Sequence, residues 1–217
     1  MAKDKKIRDL VYGFIYLDEQ ECEIIDHPVF QRLRRIKQLS LTDMVYPGSS
    51  HTRFEHSIGV MQMVTDMFDG IVAKRKQFLN DELSLNESGI QIYRKTIRLA
   101  ALLHDVGHAP FSHAGEDLMP LLPVTHNKYV EGKESRYEHE EYSIKIIKDI
   151  FKKVIEDHPI NDNYRIIVED VTALLGDTTV RLKESSLLWK ELISGQIDAD
   201  RADYLLRDSL HLGVNYG

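Results

Sequence analysis

The sequence predicts an all-α fold, mainly helical, with one small β ribbon near the N-terminus. Three observations carry this. Apolar residues return every three or four positions over most of the 217 residues, which is the helical period. Strand-like character is confined to residues 11–17. Only 6 Pro and 12 Gly interrupt the chain, and its 42% hydrophobic and 29% charged residues are the balance of a globular protein, not of a disordered or fibrous one. The length fits a single domain over 1–217.

Each element follows from a local pattern. Residues 26–39, DHPVFQRLRRIKQL, place Val29, Phe30, Leu33 and Ile36 at helical spacing with Arg32, Arg34, Arg35 and Lys37 between them, an amphipathic helix with a basic side. Asp26 is a plausible N-cap for it, just before Pro28. A Pro-Gly turn and a Ser-Ser-His-Thr cluster precede a second stripe, Val60, Val64, Phe68 and Ile71, with His56 near its start. Residues 91–105 are rich in helix formers and run into a Val-Gly-His-Ala-Pro turn, so His104 and Asp105 sit at a helix end. Residues 120–138 have no steady period and read as a mobile loop. Beyond it, His139 opens a stripe of Tyr142, Ile146, Ile150 and Val154, and further helices are expected at 164–175, 186–193 and from about Asp198.

Composition narrows the function. With 35 acidic against 28 basic residues the formal net charge is −7, which does not indicate nucleic-acid coating as the main task, although a local basic pocket remains allowed. Cys22 is the only cysteine, so neither an intrachain disulfide nor a thiolate metal cluster can form. The opening MAKDKKIRDL lacks the apolar core of a signal peptide, and no apolar run approaches the ~20 residues that span a bilayer. A cytoplasmic protein without membrane attachment is the expectation.

Three separated places hold ligands for a divalent metal: His56 in RFEH, the adjacent His104 and Asp105 in LLHDVGH, and Asp200 in DADRADY. Two imidazoles with two carboxylates make a mixed nitrogen and oxygen site suited to Mn, Fe, Mg, Ni or Zn, with positions left for water or a substrate oxygen. Such a metal activates water and polarises a phosphoryl group. A lone His-Asp pair is weak, because a histidine at a helix C-terminus is favoured by the dipole alone. Beside two further ligand-type segments it is strong, since four buried unpaired polar groups would otherwise be costly.

The pattern of His56, His104, Asp105 and Asp200 resembles the H…HD…D signature of the HD superfamily of metal-dependent phosphohydrolases. Within it the chain is most similar to the deoxynucleoside triphosphate triphosphohydrolases, of the dGTPase and vertebrate HD-domain dNTPase type. The strings FQRLRRIKQL, HTRFEHSIGV, LLHDVGHAPFSHAGE, HEEYSIKII and DADRADYLLRDSLHLG carry the likeness, in family order, from about 26 to 213. The resemblance implies an HD-domain fold in which those four residues bind the metal. It implies that Arg53 holds phosphate, that His113 and Glu116 form the catalytic His-x-x-Glu step, that His139 is a second active-site histidine, and that His108 fills the HDxGH position. It assigns Arg201 to a phosphate contact, Tyr204 to the sugar pocket, Gln38 and Asp208 to the sugar hydroxyl, and Leu39 to the nucleoside. Asp26, Gln31 and Arg34 match the positions at which regulated members hold GTP or dGTP at a subunit interface, which implies a homo-oligomer, dimer or tetramer. The family usually continues through further helices beyond the point where this sequence ends, so a C-terminal helical extension is expected to be missing.

The residues themselves support several of these roles. On a helix from Asp198, Asp200, Tyr204 and Asp208 fall at i, i+4 and i+8 and share one face. His113 and Glu116 meet if 112–118 is helical, and a carboxylate partner favours the protonated imidazole that a departing oxyanion needs. Structural roles are expected for other candidates. Glu55 and Asp198 read as supporting or capping groups, Asp203 with Arg207 as a solvated ion pair, and Met61, Met63 and Met67 as core. His27, His126 and His158 read as ordinary surface or turn residues. The leading functional reading is hydrolysis of a dNTP to deoxynucleoside and inorganic triphosphate by attack of metal-activated water at the α-phosphorus. Two alternatives stay open: a phosphohydrolase or phosphodiesterase acting on another nucleotide, and a nucleotide-sensing or nucleic-acid-binding regulator.

Overall fold

A computed structural model describes residues 5–126, 128–132, 134–181 and 184–214. The first four residues of the opening MAKDKKIRDL, two positions of the 120–138 loop and the last three residues lie outside the described residues. A two-stranded antiparallel ribbon opens the fold, β1 (Lys5–Asp9) against β2 (Gly13–Leu17), with Ile7 opposite Ile15. The sequence marked only the second strand, because the charged KKIRD of β1 carries little strand signal until it is paired. Asp9 shapes the turn by accepting from the Val11 and Tyr12 amides at 2.8 and 3.0 Å.

Helices build the rest. α1 (Glu19–Asp26) starts on a capping box between Asp18 and Glu21, and α2 (Pro28–Gln31) is capped by the His27 ring, which accepts from the Val29 amide. Asp26 is therefore the last residue of α1 and does not cap α2. The single helix expected over 26–39 is broken: α2 gives way to a 3₁₀ turn, Arg32–Arg35, and Ile36 is extended. Tertiary hydrogen bonds explain the break. Arg32 donates to the carbonyl oxygens of Val106 and His108, and the next backbone groups pair across to 51–53, with Gln38 N on His51 O and Arg53 N on Ile36 O. Arg32 is thus an anchor, while Arg34 and Arg35 are exposed as expected of a wet face.

α3 (Arg53–Leu83) runs from a Thr52–Glu55 capping box to a left-handed Ser84, bent at Arg75, and packs along α4 (Glu87–Leu103). A 3₁₀ helix, Ser112–Leu118, follows the turn after α4. In the loop beyond it, Leu121 pairs with Arg136 across an isolated bridge, and Lys128 contacts Glu138 and Glu141, so its described part is tied together. α5 (His139–Ile146) continues through a π-helical turn, Ile147–Phe151, into α6 (Lys152–Glu156). The wider turn moves the buried face to Ile147, Phe151 and Ile155 and leaves Ile150, expected in the stripe, exposed. α7 is shorter than its stripe, Val168–Leu174, because Arg165 has φ 54° and the Asn161 amide brackets the Ile166 N–H and carbonyl. α8 (Glu184–Ser194) and α9 (Ala199–Leu212) complete the bundle, with α9 lying on α3 and Trp189 packed on Phe68 at 4.5 Å. Met61 is fully buried and Met63 and Met67 pack against the core, as their spacing predicts. Among the described residues no helix is long and apolar enough to cross a membrane.

A buried charge cluster joins these layers on the side of the ribbon. Arg98 of α4 grips Glu21 of α1 with two bonds of 2.8 Å, and its other donors reach Thr65 and the Tyr16 carbonyl. Burial alone would raise the Glu21 pKa, but the Arg98 bonds and charge, with Lys95 behind them, outweigh it and bring it to about 2. Arg98→Met is expected to cost about 3 kcal/mol in urea denaturation at neutral pH, because the buried Glu21 loses both guanidinium bonds and keeps only Lys95, at 3.2 Å. Adding Glu21→Leu should recover most of that loss. A folded-state pKa below the ordinary 4.5 means the wild-type contribution is complete above pH 4.5 and fades as pH falls toward 2.

Candidate metal centre

The metal-type residues arrive on three helix ends. The Thr52 capping box starts α3 so that His56 faces inward one turn later. α4 stops at Leu103 and hands His104 and Asp105 to the following turn, and Asp198 caps α9 through the Arg201 amide, which places Asp200 in the first turn. There His56 Nε2 lies 2.9 Å from Asp200 Oδ1 and 3.6 Å from Asp105 Oδ2, while His104 Nε2 lies 3.3 Å from Asp105 Oδ1 and 3.9 Å from Asp200 Oδ1.

The donor set fits a divalent cation. His104 donates Nδ1–H to the Ala101 carbonyl and His56 donates Nδ1–H to Asp203, both bonds of 2.7–2.8 Å, so each ring presents its Nε2 lone pair to the carboxylates. Both Nε2 atoms are buried; His104 Nε2 has no hydrogen-bond partner among the described residues, and His56 Nε2 meets only the Asp200 carboxylate, at 2.9 Å. Buried imidazole nitrogens facing two carboxylates are costly without a ligand and correct with one. The electrostatics agree. Burial would lower the His56 pKa, yet Asp200 and Asp203 beside it raise it to about 9, so the pocket favours positive charge at this point. Asp105 is held well below the ordinary carboxylate range, against its burial, by Arg53 and the surrounding histidines.

A second histidine cluster adjoins the first. Glu116 accepts from His139 Nδ1 at 2.6 Å and pairs with His113 Nδ1 at 3.3 Å, so one carboxylate joins the two rings. The 3₁₀ geometry of 112–118 brings His113 and Glu116 onto one side, since i and i+3 eclipse there. His108 is buried, stacks on His139 with ring centres 3.8 Å apart, and sits 3.4 Å from Asp105. Burial lowers its pKa to about 4 despite the nearby Asp105. Arg53, expected on phosphate, donates to Asp105 at 2.6 Å and to Ser112 Oγ at 3.1 Å. Ser143 docks α5 here, accepting from Gly107 N and donating to the His104 carbonyl. A Cβ on Gly107 would lie 2.2 Å from the His139 carbonyl oxygen, so only glycine allows this approach.

The residues assigned to substrate surround this centre. Arg201 shares a cleft with His104, His139, Glu140, Ser143 and Asp200, and Tyr204 is half-buried one turn beyond Asp200. Asp208 accepts from His51 Nε2 at 2.7 Å, and Gln38 reaches the same residue through its backbone bond to His51 O. Gln38 Oε1 and His51 Nδ1 are buried without hydrogen-bond partners among the described residues, and Leu39 is half-buried alongside. His51 was missed in the sequence because a histidine in a Ser-Ser-His-Thr turn carries no spacing signal; its partner is 157 residues away. Of the residues matched to an effector, Arg34 lies flat over the Phe54 ring at 3.4 Å and donates to Gln31 Oε1, whereas Asp26 faces Lys5 at 3.8 Å.

One structural expectation is overturned. Asp203 and Arg207 are both 0% exposed, so they are no solvated pair: Arg207 binds both oxygens of Asp203, and Asp203 accepts from His56. Glu55 and Asp198 do cap α3 and α9, and His27, His126 and His158 each cap a turn.

Comparison with known proteins places this geometry. An uncharacterized protein of Methanocaldococcus jannaschii is 38% identical over 213 residues, covering 98% of this chain and 35% of its own length. A protein of Dictyostelium discoideum named deoxynucleoside triphosphate triphosphohydrolase SAMHD1 homolog is 34% identical over 211 residues, 96% of this chain and 37% of its own. The crystal structure of a hypothetical protein from Aquifex aeolicus superimposes with a TM-score of 0.69 at 31% identity, covering 99% of this chain and 48% of that one. The chain therefore spans less than half the length of these relatives. The HD domain family matches residues 53–208, from the first turn of α3 to the third turn of α9. Because that match takes in all four metal-type side chains in their order, the chain belongs to the HD-domain family.

Proposed function

We propose that the chain is a metal-dependent phosphohydrolase that cleaves deoxynucleoside triphosphates to deoxynucleoside and inorganic triphosphate. One observation carries the reading: the buried Nε2 atoms of His56 and His104 converge on Asp105 and Asp200 beside a His113–Glu116–His139 relay. A divalent ion held by His56, His104, Asp105 and Asp200 would supply Lewis acidity toward a phosphoryl oxygen and an activated water. The chain's own groups do the rest. His113 brings a proton at Nε2 to the departing 5′ oxygen, its Nδ1 held by Glu116. Arg53 keeps Asp105 ionised and oriented, and Arg201 and His139 line the cleft for the triphosphate charge. Gln38 Oε1 and Asp208, acceptors brought together by His51, suit a sugar hydroxyl that donates. The Dictyostelium relative's name supports the substrate class. A GTP or dGTP effector near Asp26, Gln31 and Arg34, and assembly into a dimer or tetramer, belong to the same proposal and rest on the match of these three residues to the family's effector positions.

The test is elemental analysis of the purified chain followed by anion-exchange analysis of mixed dNTPs, with and without GTP. The expected result is near one metal per chain and release of triphosphate as one piece. Turnover of a cyclic dinucleotide or a monophosphate with intact dNTPs would replace the substrate class, and nucleotide binding without turnover would favour a sensor.

A further inference from the structure

Below His56, on the side away from the carboxylates of the centre, lies a chain of buried charges that the proposed reaction does not use. His56 Nδ1 donates to Asp203 Oδ2 at 2.8 Å. Arg207, one turn further along α9, donates from Nε and an amino group to the two oxygens of Asp203, each at 2.9 Å. The same guanidinium reaches across to Asp9 at the end of β1, at 2.9 and 3.4 Å, over a sequence separation of 198 residues. None of the four side chains is appreciably exposed. Gly59 on α3 leaves the room: a Cβ there would lie 2.1 Å from Asp203 Oδ1 and 2.2 Å from the Arg207 amino nitrogen. α3 therefore gives up a side chain at a position one turn past His56 so that the fork can close.

The geometry points to Asp203 as the positioning residue of His56, and to Asp9 and Arg207 as the clamp that fixes Asp203, so that the N-terminal ribbon sets the metal affinity of the centre. Packing alone does not account for the arrangement, since apolar residues of similar volume fill such a site at least as stably as buried ion pairs do. An oriented carboxylate does what apolar residues cannot. It holds the Nδ1–H, which fixes the tautomer and aims the Nε2 lone pair at Asp105 and Asp200. Arg207 occupies both Asp203 oxygens, so the carboxylate cannot rotate away from His56. Asp9 engages the far side of Arg207 while its Oδ1 closes the turn of the ribbon, so the ribbon's own geometry is linked to the fork. With two carboxylates and one guanidinium, the clamp delivers net negative charge beneath a ring whose other nitrogen faces the cation position.

This inference rests on the metal reading, and the experiment separates the two. Mn²⁺ is titrated into the full chain and free Mn²⁺ is followed by electron paramagnetic resonance, for wild type, Asp9→Asn, Asp203→Asn and the exposed control Asp66→Asn. Asp203→Asn is expected to weaken Mn²⁺ binding about 10–100-fold and Asp9→Asn about tenfold, with the control unchanged. Asp9→Asn keeps the turn-capping Oδ1 but replaces Oδ2, the acceptor of the 2.9 Å bond from Arg207, with an amide NH2, so it breaks the clamp without the turn and decides the matter if Asp203→Asn does not fold. In Zn²⁺-loaded protein the His56 Nδ1–H resonance should shift in Asp9→Asn, although Asp9 does not touch His56. A lowered unfolding midpoint with unchanged Mn²⁺ affinity and an unchanged Nδ1–H resonance would overturn the clamp while leaving the metal centre standing. Failure of the wild type to bind Mn²⁺ would overturn the metal centre and the clamp with it.

Discussion

His104→Ala combined with Asp105→Ala is expected to remove bound transition metal and phosphoester hydrolysis together. The pair supplies two of the four donors, and one of them does more than bind. Asp105 is the anion on which Arg53, His56, His104, His108 and His139 converge, at 2.6–3.8 Å. Removing it leaves the buried Arg53 guanidinium with only Ser112 Oγ, so part of the loss is destabilisation, about 3–5 kcal/mol for a broken buried pair. His104→Ala alone separates the effects, because it removes a ligand nitrogen and a bond to its own helix while Asp105 keeps its 2.6 Å pair with Arg53. The check is metal content by mass spectrometry beside turnover on dNTPs, with helical circular dichroism to show that the chain is folded. A double variant that holds no metal and still hydrolyses at the wild-type rate would refute the metal-dependent mechanism.

The four ligand-type residues were legible because three of their positions announce themselves locally. His56 follows a capping box, His104 and Asp105 follow a run of helix formers that ends at Gly107, and Asp200 follows an N-cap. Helical period likewise located α3, α4 and α8, whose buried faces repeat over two or more turns. What stayed hidden depends on partners far away in sequence. Spacing of i and i+4 shows that Asp203 and Arg207 can pair, but not whether the pair is wet; that is decided by Asp9 and by the bare backbone at Gly59. The apolar stripe of 26–39 was real, yet Arg32 found carbonyl oxygens near Asp105 and the backbone of 36–38 found 51–53, and those bonds override a helix of modest propensity. The π-helical turn at 147–151 is invisible to any pattern that assumes 3.6 residues per turn.

The second large effect concerns proton transfer. His113→Ala should lower turnover by about 10²–10⁴-fold with metal content unchanged. The His113 side chain is 64% exposed and points its Nδ1 at Glu116, so its loss opens no cavity in the core and removes no ligand from the His56 centre. Glu116 keeps the ring ready to donate. Burial would raise the Glu116 pKa, but its bonds to His139 and His113 lower it, so the carboxylate stays ionised through neutral pH and keeps its hold on the His113 Nδ1. His113→Ala removes that donor while Glu116 stays paired with His139. The leaving group provides a sharper discriminator. A 5′ alkoxide needs a proton as the P–O bond breaks, whereas p-nitrophenolate leaves without one, so a p-nitrophenyl ester should lose far less rate than a dNTP in the same variant. Equal losses on both substrates would mean that His113 binds the phosphates and does not protonate. Loss of metal would move His113 into the ligand shell, together with the His108, Glu116 and His139 donors that lie within 4.8 Å of its own.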